Sequence, residues 1–423
     1  MIIELNDQEF NEYSKQHECN TFFQTSYWGQ LKKTNGWNPI ILGMKEDNKI
    51  ICASLLLRKK IPIFKKYFYY APRGFLINFK NKELLNRFTI ELEKYLKNNK
   101  AIFLKINPYL SYQQRDIDGT IVLDKENNKE VVENLKQLGF NHAGFTITYG
   151  KELEPRWISV LDLNGQNEPS LLENMRATTR WVINNSYKHG LKLVEINNDR
   201  MNEFKELMAH TGERRGFIDR PLSYYKLMYE IFSKDNNIKV MLVELNIKEH
   251  LEKSYKQKEE LLNKIEEIST RTSTKSKRQL KELESQFNSC IKKIEELEQI
   301  KTEKGNKIVV AGGLFMIFGT QVISLFGASY KEYMKYNGQY FLNFEMIKYA
   351  LNNNYQKYNF LGITGEFTEE SKMFGLFDFK RGFNSEVVEL IGEFTLVVNK
   401  FYFNIYNIML FIYKKLKKWR MKI

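Results

Sequence analysis

The chain has 423 residues, 43% of them hydrophobic and 14% aromatic, a composition that excludes a disordered protein and predicts two or three globular domains. Its formal net charge of +14 indicates an anionic partner such as nucleic acid, anionic lipid or pyrophosphate, unless the many Lys and Asn residues reflect genome composition alone. The cysteines Cys19, Cys52 and Cys290 are far apart and form no CxxC motif, which excludes a disulfide framework and a thiolate metal site.

Residues 1–154 predict a first mixed α/β unit. The N-terminus, MIIELNDQEFNEYSKQ, carries acids where a signal peptide needs basic and then apolar residues, so we expect a cytoplasmic protein. The turn KEDN joins two strand-like runs, which is a hairpin signal. Gly139 follows the last apolar position of a helical stripe and marks its end. The predicted helices are 26–35, 84–97 and 130–138, and the predicted strands are 37–44, 50–59 and 101–106.

A similar order of helices and strands recurs over residues 155–247 and 305–393 and predicts a second α/β unit. The whole chain is therefore predicted to be of the α/β (α+β) class. The predicted strands are 157–163, 191–196, 239–245, 307–318, 320–328 and 357–362, and the predicted helices are 171–190, 199–211 and 339–353.

Residues 248–304 interrupt the second unit with a different pattern. Apolar residues from Leu280 to Leu297 are spaced three and four positions apart, a heptad seam, and a shorter seam of Leu251, Tyr255, Leu262 and Ile265 precedes it. Because the break STRTSTKS has no apolar residue, the segment predicts an antiparallel helical coiled-coil hairpin. Its tip is basic, which suits either a solvated coiled-coil end or a contact for a phosphate backbone. The tip cations are Arg271, Lys275, Lys277, Arg278 and Lys281.

Residues 394–423 predict a basic amphipathic C-terminal tail. The chain has no acidic residue after Glu393, and apolar residues recur three and four positions apart from Phe401 to Trp419. Such a helix favours an anionic membrane surface, at about 1 kcal/mol per basic residue near the lipid. The alternative is a helix docked on the second unit with a frayed basic end. No stretch reaches the roughly 20 uninterrupted apolar residues of a spanning helix.

Several familiar catalytic motifs are missing from the sequence. There is no HExxH, GxSxG or GxxxxGK[ST], and the histidines have no metal-ligand spacing, so neither a metal ion nor a cofactor is expected. The Gln/Arg-x-x-Gly-x-Gly/Ala turn with which acetyltransferases usually hold coenzyme A follows none of the strands. This argues against an acyl-CoA donor.

Four segments combine polar side chains with aromatic residues. FQTSYWGQLKKTNGW holds Lys32 on a helix that core packing alone also explains, and FLKINPY ends a buried strand at Asn107, which a simple turn also explains. In ERRGFIDRPLSYY, Arg220 and Tyr224 share one face if a helix follows Pro221, so they can present a guanidinium and a phenol to a diphosphate. FKRGF places Lys380 between aromatic residues, although each cation taken singly can be ordinary surface charge.

The order of these motifs resembles the Fem family of aminoacyltransferases, which build peptidoglycan interpeptide bridges. The resemblance covers nearly the whole chain and includes the segments FQTSYWGQLKKTNGW, LKINPY, MRATTRWVINNSYKHGLKL, GERRGFIDR, YNFLGITG and FDFKRGF. It implies two acetyltransferase-like (GNAT) domains, with the coiled-coil hairpin as an inserted arm. It also implies aminoacyl-tRNA as donor and a lipid- or nucleotide-linked muropeptide as acceptor.

Carried over position by position, the resemblance implies roles for seven residues. Lys32, Arg220 and Tyr224 would hold the pyrophosphate of the acceptor. Phe379 and Lys380 match a Phe-Lys pair at the reacting centre, where the lysine would offset charge on the ester carbonyl or the leaving ribose oxygen. Two positions depart from the pattern: Phe326 falls where members carry a Tyr, and Asn107 falls where many carry an acid. Asn cannot be a general base, so the resemblance does not imply carboxylate-driven deprotonation at that position.

The implied reaction is aminolysis of an activated ester, without a covalent enzyme intermediate. Orientation alone can supply roughly 7–11 kcal/mol in well-aligned cases, which suits a chain without an evident nucleophile–base pair. Two alternatives stay open. One is an acyltransferase of the same domain type with another donor or acceptor, and the other is a non-enzymatic basic coiled-coil protein that binds RNA or membrane.

Overall fold

The computed structural model describes residues 1–148, 152–271 and 273–420, and within them the chain forms a seven-stranded and an eight-stranded sheet. Residue 272 of the predicted break, residues 421–423 of the predicted tail, and the side chains of Lys414 and residues 417–420 lie outside this description. The strands are β1 Ile3–Glu4, β2 Asn38–Glu46, β3 Lys49–Ile61, β4 Lys66–Ala71, β5 Ala101–Ile106, β6 Ser111–Gln114, β7 Phe140–His142, β8 Trp157–Asp162, β9 Leu191–Ile196, β10 Ile238–Asn246, β11 Lys307–Phe318, β12 Gln321–Ser329, β13 Lys357–Ile363, β14 Glu386–Leu390 and β15 Phe394–Val397. The helices are α1 Asp7–Gln16, α2 Ser26–Lys33, α3 Lys82–Asn98, α4 Lys129–Gln137, α5 Glu168–Asn174, α6 Ala177–Lys188, α7 Met201–Arg215, α8 Leu222–Phe232, α9 Ile247–Ser269, α10 Thr274–Lys304, α11 Gly338–Asn352, α12 Phe374–Arg381 and α13 Lys400–Arg420.

The first sheet has the strand order β1-β2-β3-β4-β5-β15-β7. Strands β2 and β3 form an antiparallel hairpin, as the KEDN turn predicted, because Asp47 and Asn48 both adopt the left-handed conformation that tight hairpin turns require. Strand β4 pairs with β5 in parallel, and α3 makes the connection between them. This half of the chain is thus a mixed α/β layer, as the sequence predicts.

The second sheet has the order β6-β14-β8-β13-β12-β11-β10-β9 and contains an opening near its middle. Strands β12 and β13 pair in parallel only where residues 321–323 lie beside residues 357–359. Both strands continue beyond that point, to Ser329 and Ile363, without pairing to each other. We call the gap between residues 324–329 and 360–363 the strand separation.

The two sheets exchange strands across the predicted boundaries. Strand β15, from the segment predicted as a tail, pairs with β5 and β7 in the first sheet, whereas β6 pairs with β14 in the second. A buried ionic group holds β6 in place, because the Glu389 carboxylate accepts hydrogen bonds from Gln113 at 2.9 Å, from Arg115 at 2.6 Å and from Arg156. The two halves are therefore built as one interlocked body.

The predicted arm is present as two long helices between neighbouring antiparallel strands. Helix α9 follows β10 directly, α10 ends just before β11, and the two helices pack against each other. Their packing differs in part from the predicted seam. Ser254 and Leu261 are buried while Tyr255 and Leu262 face outward, because the small Ser254 allows its carbonyl to approach the Cys290 thiol at 3.3 Å. Supercoiling of the pair stays a prediction.

One helix of the second unit is broken where the sequence predicts a continuous stretch over 171–190. Met175 adopts an extended backbone between α5 and α6. The Arg180 guanidinium stabilises the break, since it donates to the carbonyl oxygens of Glu173 at 2.6 Å and Met175 at 2.7 Å. The apolar period alone could not reveal this interruption, because it continues through both helices.

A hydrophobic cluster shared by the two units positions α2 against α8. It contains Trp28 and Tyr70 from the first unit together with Tyr225 and Leu314 from the second, all buried. The ring of Phe22 lies 6.3 Å from that of Phe232 in an edge-on arrangement across the junction. Because aromatic residues of both units are buried in this cluster, the orientations of α2 and α8 are fixed. The faces of the two helices that remain exposed are therefore fixed as well.

Acid should weaken this fold because His250 is buried and His17 and His189 are half-buried as neutral rings. Burial lowers the pKa of His17 and His189 to about 4 and that of His250 to about 3. The unfolded chain therefore binds more protons below pH 6.5, so stability is full above that value and is lost as the pH falls toward 3–4.

We expect His250→Phe to lose less stability in acid than the unsubstituted chain. The difference should reach about 2 kcal/mol at about pH 5, since each titrating group contributes about 1.4 kcal/mol per pH unit. Urea unfolding at about pH 7 and about pH 5 measures it in both proteins. An identical loss in the two would show that His250 is not the responsible group.

Candidate functional site

Helices α2 and α8 bring three of the predicted residues together. The Thr25 side chain caps α2 by accepting from the Trp28 amide, which leaves Lys32 in the last turn of the helix. Helix α8 begins directly after Pro221, as the prediction for Arg220 and Tyr224 required. Its first turn is fixed by Asp219, whose Oδ1 accepts from the Arg220 amide at 2.7 Å and from the Tyr225 hydroxyl at 2.6 Å.

The two cations rest on aromatic rings. Lys32 Nζ lies 4.1 Å from the centroid of the Trp28 ring, and the Arg220 guanidinium lies 5.6 Å from the centroid of the Tyr224 ring. Burial lowers the pKa of Lys32, and the positive charge of Arg220 lowers it further. A partly buried ammonium and an exposed guanidinium beside a phenol form a suitable binding site for phosphate oxygens.

A carboxylate that the sequence analysis did not single out faces these cations. Glu154 lies in the link between the two units and is half-buried. Its burial raises its pKa, and the charges of Arg73, Lys32 and Arg220 oppose that rise. Because no periodic pattern or motif surrounds it, the sequence offered no signal for this residue. We name Lys32, Arg73, Glu154, Arg220 and Tyr224 the cationic cleft.

Asn107 lies beneath the cationic cleft. Its Oδ1 accepts hydrogen bonds from the Arg73 amide at 2.8 Å and from the Tyr70 hydroxyl at 3.2 Å, and the residue is only 2% exposed. Arg73 in turn donates to the carbonyl oxygen of Pro155 at 2.8 Å, next to Glu154. The structure thus places Asn107 where it holds the Arg73 turn.

Lys380 is separate from the cationic cleft and lies at the strand separation. Its Nζ donates to the carbonyl oxygens of Phe360 at 2.6 Å, Leu361 at 3.2 Å and Gly362 at 2.7 Å. These carbonyls converge because the pairing of β13 with β8 shifts register there and Leu361 has a positive φ of 57°. Lys380 is 7% exposed, and burial lowers its pKa to about 7.

Phe379, predicted at the reacting centre, and Phe326, predicted to contact the substrate, lie on different faces of the second sheet. The Phe379 ring packs 4.8 Å from that of Tyr340 and 5.4 Å from that of Phe383, in the cluster that includes the α9–α10 helices. Phe326, on β12 at the strand separation, lies 5.7 Å from the Tyr225 ring in the cluster shared by both units. Having no hydroxyl, Phe326 offers only apolar contact.

The predicted site residues therefore form two groups, one at the cationic cleft and one around Lys380 at the strand separation. Two features connect these groups. Phe326 and Leu361 pack in the same hydrophobic cluster as Tyr224, so one apolar wall runs from the cleft to the strand separation. A cavity of about 250 Å³ lies beside Glu154 and reaches Ile363 at the end of β13.

The predicted tRNA-contact residues lie at the far end of the helical arm. Lys275, Lys277 and Arg278 are exposed in the first turns of α10, while Arg271 pairs with Glu267 at 2.6 Å. Cations at a helix N-terminus oppose the helix dipole, so local stability does not explain their presence. Since α9 has 23 residues, the tip extends about 34 Å from the sheet.

The part of the chain that the structure describes gives no indication of a metal centre. Across residues 1–148, 152–271 and 273–420, no group of three or more His, Cys, Asp or Glu side chains is arranged to hold an ion. The cationic cleft and the strand separation present ammonium and guanidinium groups and a phenol as hydrogen-bond donors, together with the Glu154 carboxylate and backbone carbonyls as acceptors. The cations and the phenol can bind an anion and stabilise a developing negative charge.

Comparison with known proteins identifies relatives along nearly the whole chain. The profile of the FemAB family matches residues 5–410. Aminoacyltransferase FemA from Staphylococcus aureus strain bovine RF122 / ET3-1 is 30% identical over 403 residues, which cover 94% of this chain and 95% of the relative, and FemA from strain MRSA252 matches to the same extent. A crystal structure of FemX superposes with a TM-score of 0.78 at 26% identity, covering 96% of this chain and 99% of that one.

Proposed function

This chain belongs to the FemAB family and is an aminoacyltransferase, and from this premise we propose that it extends the stem peptide of a lipid-linked peptidoglycan precursor, using aminoacyl-tRNA as donor. The product would be the interpeptide bridge of the cell wall. The observation that carries the proposal is the convergence of Lys32, Arg220 and Tyr224 at the junction of the two units. A diphosphate is the group in such a precursor that these side chains suit.

The acceptor would bind with its diphosphate in the cationic cleft. Lys32 and Arg220 would each make a charge-assisted hydrogen bond to phosphate oxygens, with the Tyr224 hydroxyl as a further donor. Asn107 would act through Arg73 as a positioning residue, because its own amide oxygen is occupied. The stem peptide would follow the apolar wall, including Phe326, toward the strand separation.

The aminoacyl ester would lie at the strand separation beside Lys380. The acceptor amine attacks the ester carbonyl, the new C–N bond forms, and the C–O bond to the ribose breaks. Because the amine attacks the ester directly, no side chain need be acylated. The amine proton is transferred to the departing ribose oxygen. Lys380 would exchange one carbonyl partner for the developing oxyanion, and Phe379 would support the position of its helix.

The donor would also contact the arm. Arg271, Lys275, Lys277 and Arg278 would bind the phosphate backbone of tRNA at a distance from the reacting ester. Opposite charges account for the contact between tRNA and the arm without base-specific recognition, so the arm would serve different charged tRNAs equally.

We further propose that the two units are GNAT-like domains and that the arm is a coiled coil.

The chain would act in the cytoplasm, at the inner face of the membrane. Across the part of the chain that the structure describes, no helix is both long and apolar enough to cross a bilayer. Peripheral attachment through the basic amphipathic α13 would bring the enzyme to a lipid-linked acceptor.

The donor assignment has a direct test. Purified protein is mixed with lipid-linked muropeptide and either a radiolabelled aminoacyl-tRNA pool or radiolabelled acetyl-CoA, and the product is weighed by mass spectrometry. We expect the mass to increase by one or more amino-acid residues with the tRNA pool alone. Transfer from acetyl-CoA, or an acyl-enzyme at a Ser or Cys, would contradict the proposal. Either result would favour an acyltransferase of the same domain type with another donor or acceptor.

A further inference from the structure

The turn between β3 and β4 exposes an aliphatic side chain at its tip. Residues Pro62–Phe64 form one turn of 3-10 helix that begins with a proline, and Lys65 follows in the left-handed conformation. Ile63 is 71% exposed at this turn, between the exposed Lys60 and Lys65. Because most of its side chain is exposed, Ile63 adds little buried apolar surface to the fold.

Helix α13 packs beside this turn, on the first sheet. The Tyr402 ring lies 5.3 Å from that of Phe64, and Lys66 Nζ lies 4.7 Å from the Tyr402 centroid. Phe403 and Tyr406 pack on the Phe103 ring of β5, at 5.3 Å and 5.2 Å. These contacts fix the start of α13 on the first unit, and not on the second as the docked-helix alternative predicted.

The opposite face of α13 presents an apolar stripe to solvent. Phe401, Ile408, Ile412 and Leu416 are 68%, 60%, 50% and 55% exposed, and their spacing places them on one side of the helix. The docked residues Tyr402 and Tyr406 lie on another side. The stripe therefore lies outside the contacts that attach α13 to the first sheet.

The charge around these two elements has one sign. The sequence has no acidic residue between Asp47 and Glu83, which includes the whole turn, and none after Glu393, which includes the whole helix. The turn contributes Lys65 and Lys66, and the adjoining end of β3 contributes Lys59 and Lys60. Two acid-free segments, distant in the chain, are thus adjacent in the fold.

We infer that the turn 61–66 and the exposed stripe of α13 form one docking face for an anionic lipid bilayer, in which Ile63 inserts alongside α13. The inference rests on the proposed function for its purpose, because a lipid-linked acceptor requires the enzyme at the membrane. It adds a second insertion point that the C-terminal helix alone does not supply. Two points of attachment fix the orientation of the protein on the surface, whereas one helix permits rotation.

The mixture of aliphatic and basic side chains favours lipid over nucleic acid. A phosphate backbone is recognised by cations and aromatic stacking and offers no apolar interior for Ile63, Ile408 or Leu416. An anionic bilayer accommodates both, because the lysines attract its headgroups while the aliphatic chains enter the acyl boundary.

The test measures binding to large unilamellar vesicles of phosphatidylcholine with and without phosphatidylglycerol, by sedimentation of the full chain. We expect binding only with phosphatidylglycerol, and a partition constant reduced about tenfold in Ile63→Asp, consistent with withdrawing one aliphatic side chain from the acyl boundary. Ile408→Asp should have a similar effect. Leu123→Asp is the matched control, since Leu123 is 77% exposed outside both elements and its replacement should leave binding unchanged.

Activity on a soluble, nucleotide-linked acceptor separates this inference from the proposed function. Ile63→Asp should retain that activity and lose transfer to the acceptor embedded in vesicles. Unchanged vesicle binding in Ile63→Asp, or a loss of tRNA binding instead, would overturn the docking face. Expected vesicle binding in a protein that transfers to neither acceptor would leave the face standing and refute the proposed function.

Discussion

Replacement of Lys380 by Met should lower the rate of aminoacyl transfer about 100- to 1,000-fold, the usual effect of removing one donor that stabilises an oxyanion. Met retains the apolar stem but removes the ammonium that three carbonyls of β13 surround. The KM for the acceptor should change little, because Lys380 is separate from the cationic cleft. Steady-state rates with aminoacyl-tRNA and a soluble muropeptide provide both parameters.

Loss of the three carbonyl contacts also destabilises the strand separation, so a control is needed. Arg381→Met removes the neighbouring cation of α12, which pairs with Asp118 and Asp378 at 2.6 Å and 2.7 Å. These half-exposed pairs contribute at most about 1 kcal/mol each, so its rate should be close to that of the unsubstituted chain. Equal losses of rate in the two variants, in parallel with thermal unfolding, would reduce Lys380 to a structural role.

The pH profile gives a readout that a purely structural role would not produce. Since burial lowers the pKa of Lys380 to about 7, the ammonium is lost as the pH rises through that value. The rate should therefore fall on the alkaline side in the unsubstituted chain. An added alkylammonium ion should restore part of the rate in Lys380→Ala, because that variant leaves space where the ammonium was.

Local chemistry made the elements predictable. Apolar runs predicted strands such as β5 and β11 to the residue, and the segment after Pro221 is helical as the alignment of Arg220 with Tyr224 requires. Each of these depends on side chains within a few positions of one another. The turn KEDN is similar, because its left-handed residues lie at the turn itself.

What the sequence could not reveal depends on distant residues. Glu154 matters only because the fold brings Lys32 and Arg220 to it from helices of different units. The contacts of Lys380 arise from a register shift in β13, which no local pattern encodes. The exchange of β6 and β15 likewise depends on pairing between segments far apart in the chain.

Replacement of Arg220 by Ala should raise the KM for the muropeptide acceptor about 10- to 150-fold, with kcat nearly unchanged. A hydrogen bond to a charged group contributes about 1.5–3 kcal/mol, and Arg220 would make such bonds in the ground state and the transition state alike. Lys32→Ala should act in the same direction by a smaller factor, because an ammonium is a point charge that lacks the two-pronged fork of a guanidinium. Initial rates over a range of acceptor concentrations measure both effects.

Two further variants test whether charge within the cleft is the cause. Lys33→Ala removes the next, exposed cation of α2 and should leave the KM unchanged, since Lys33 is not among the charges that face Glu154. Glu154→Gln removes the only carboxylate of the cleft and should act in the opposite sense, tightening acceptor binding by about 1 kcal/mol, or about fivefold. If Arg220→Ala and Glu154→Gln shift the KM in the same direction, or neither shifts it, the cleft does not bind the diphosphate. We expect the two shifts of the KM to have opposite signs and to become smaller with added salt. Both effects follow if the cleft binds the diphosphate electrostatically, because screening weakens attraction and repulsion alike.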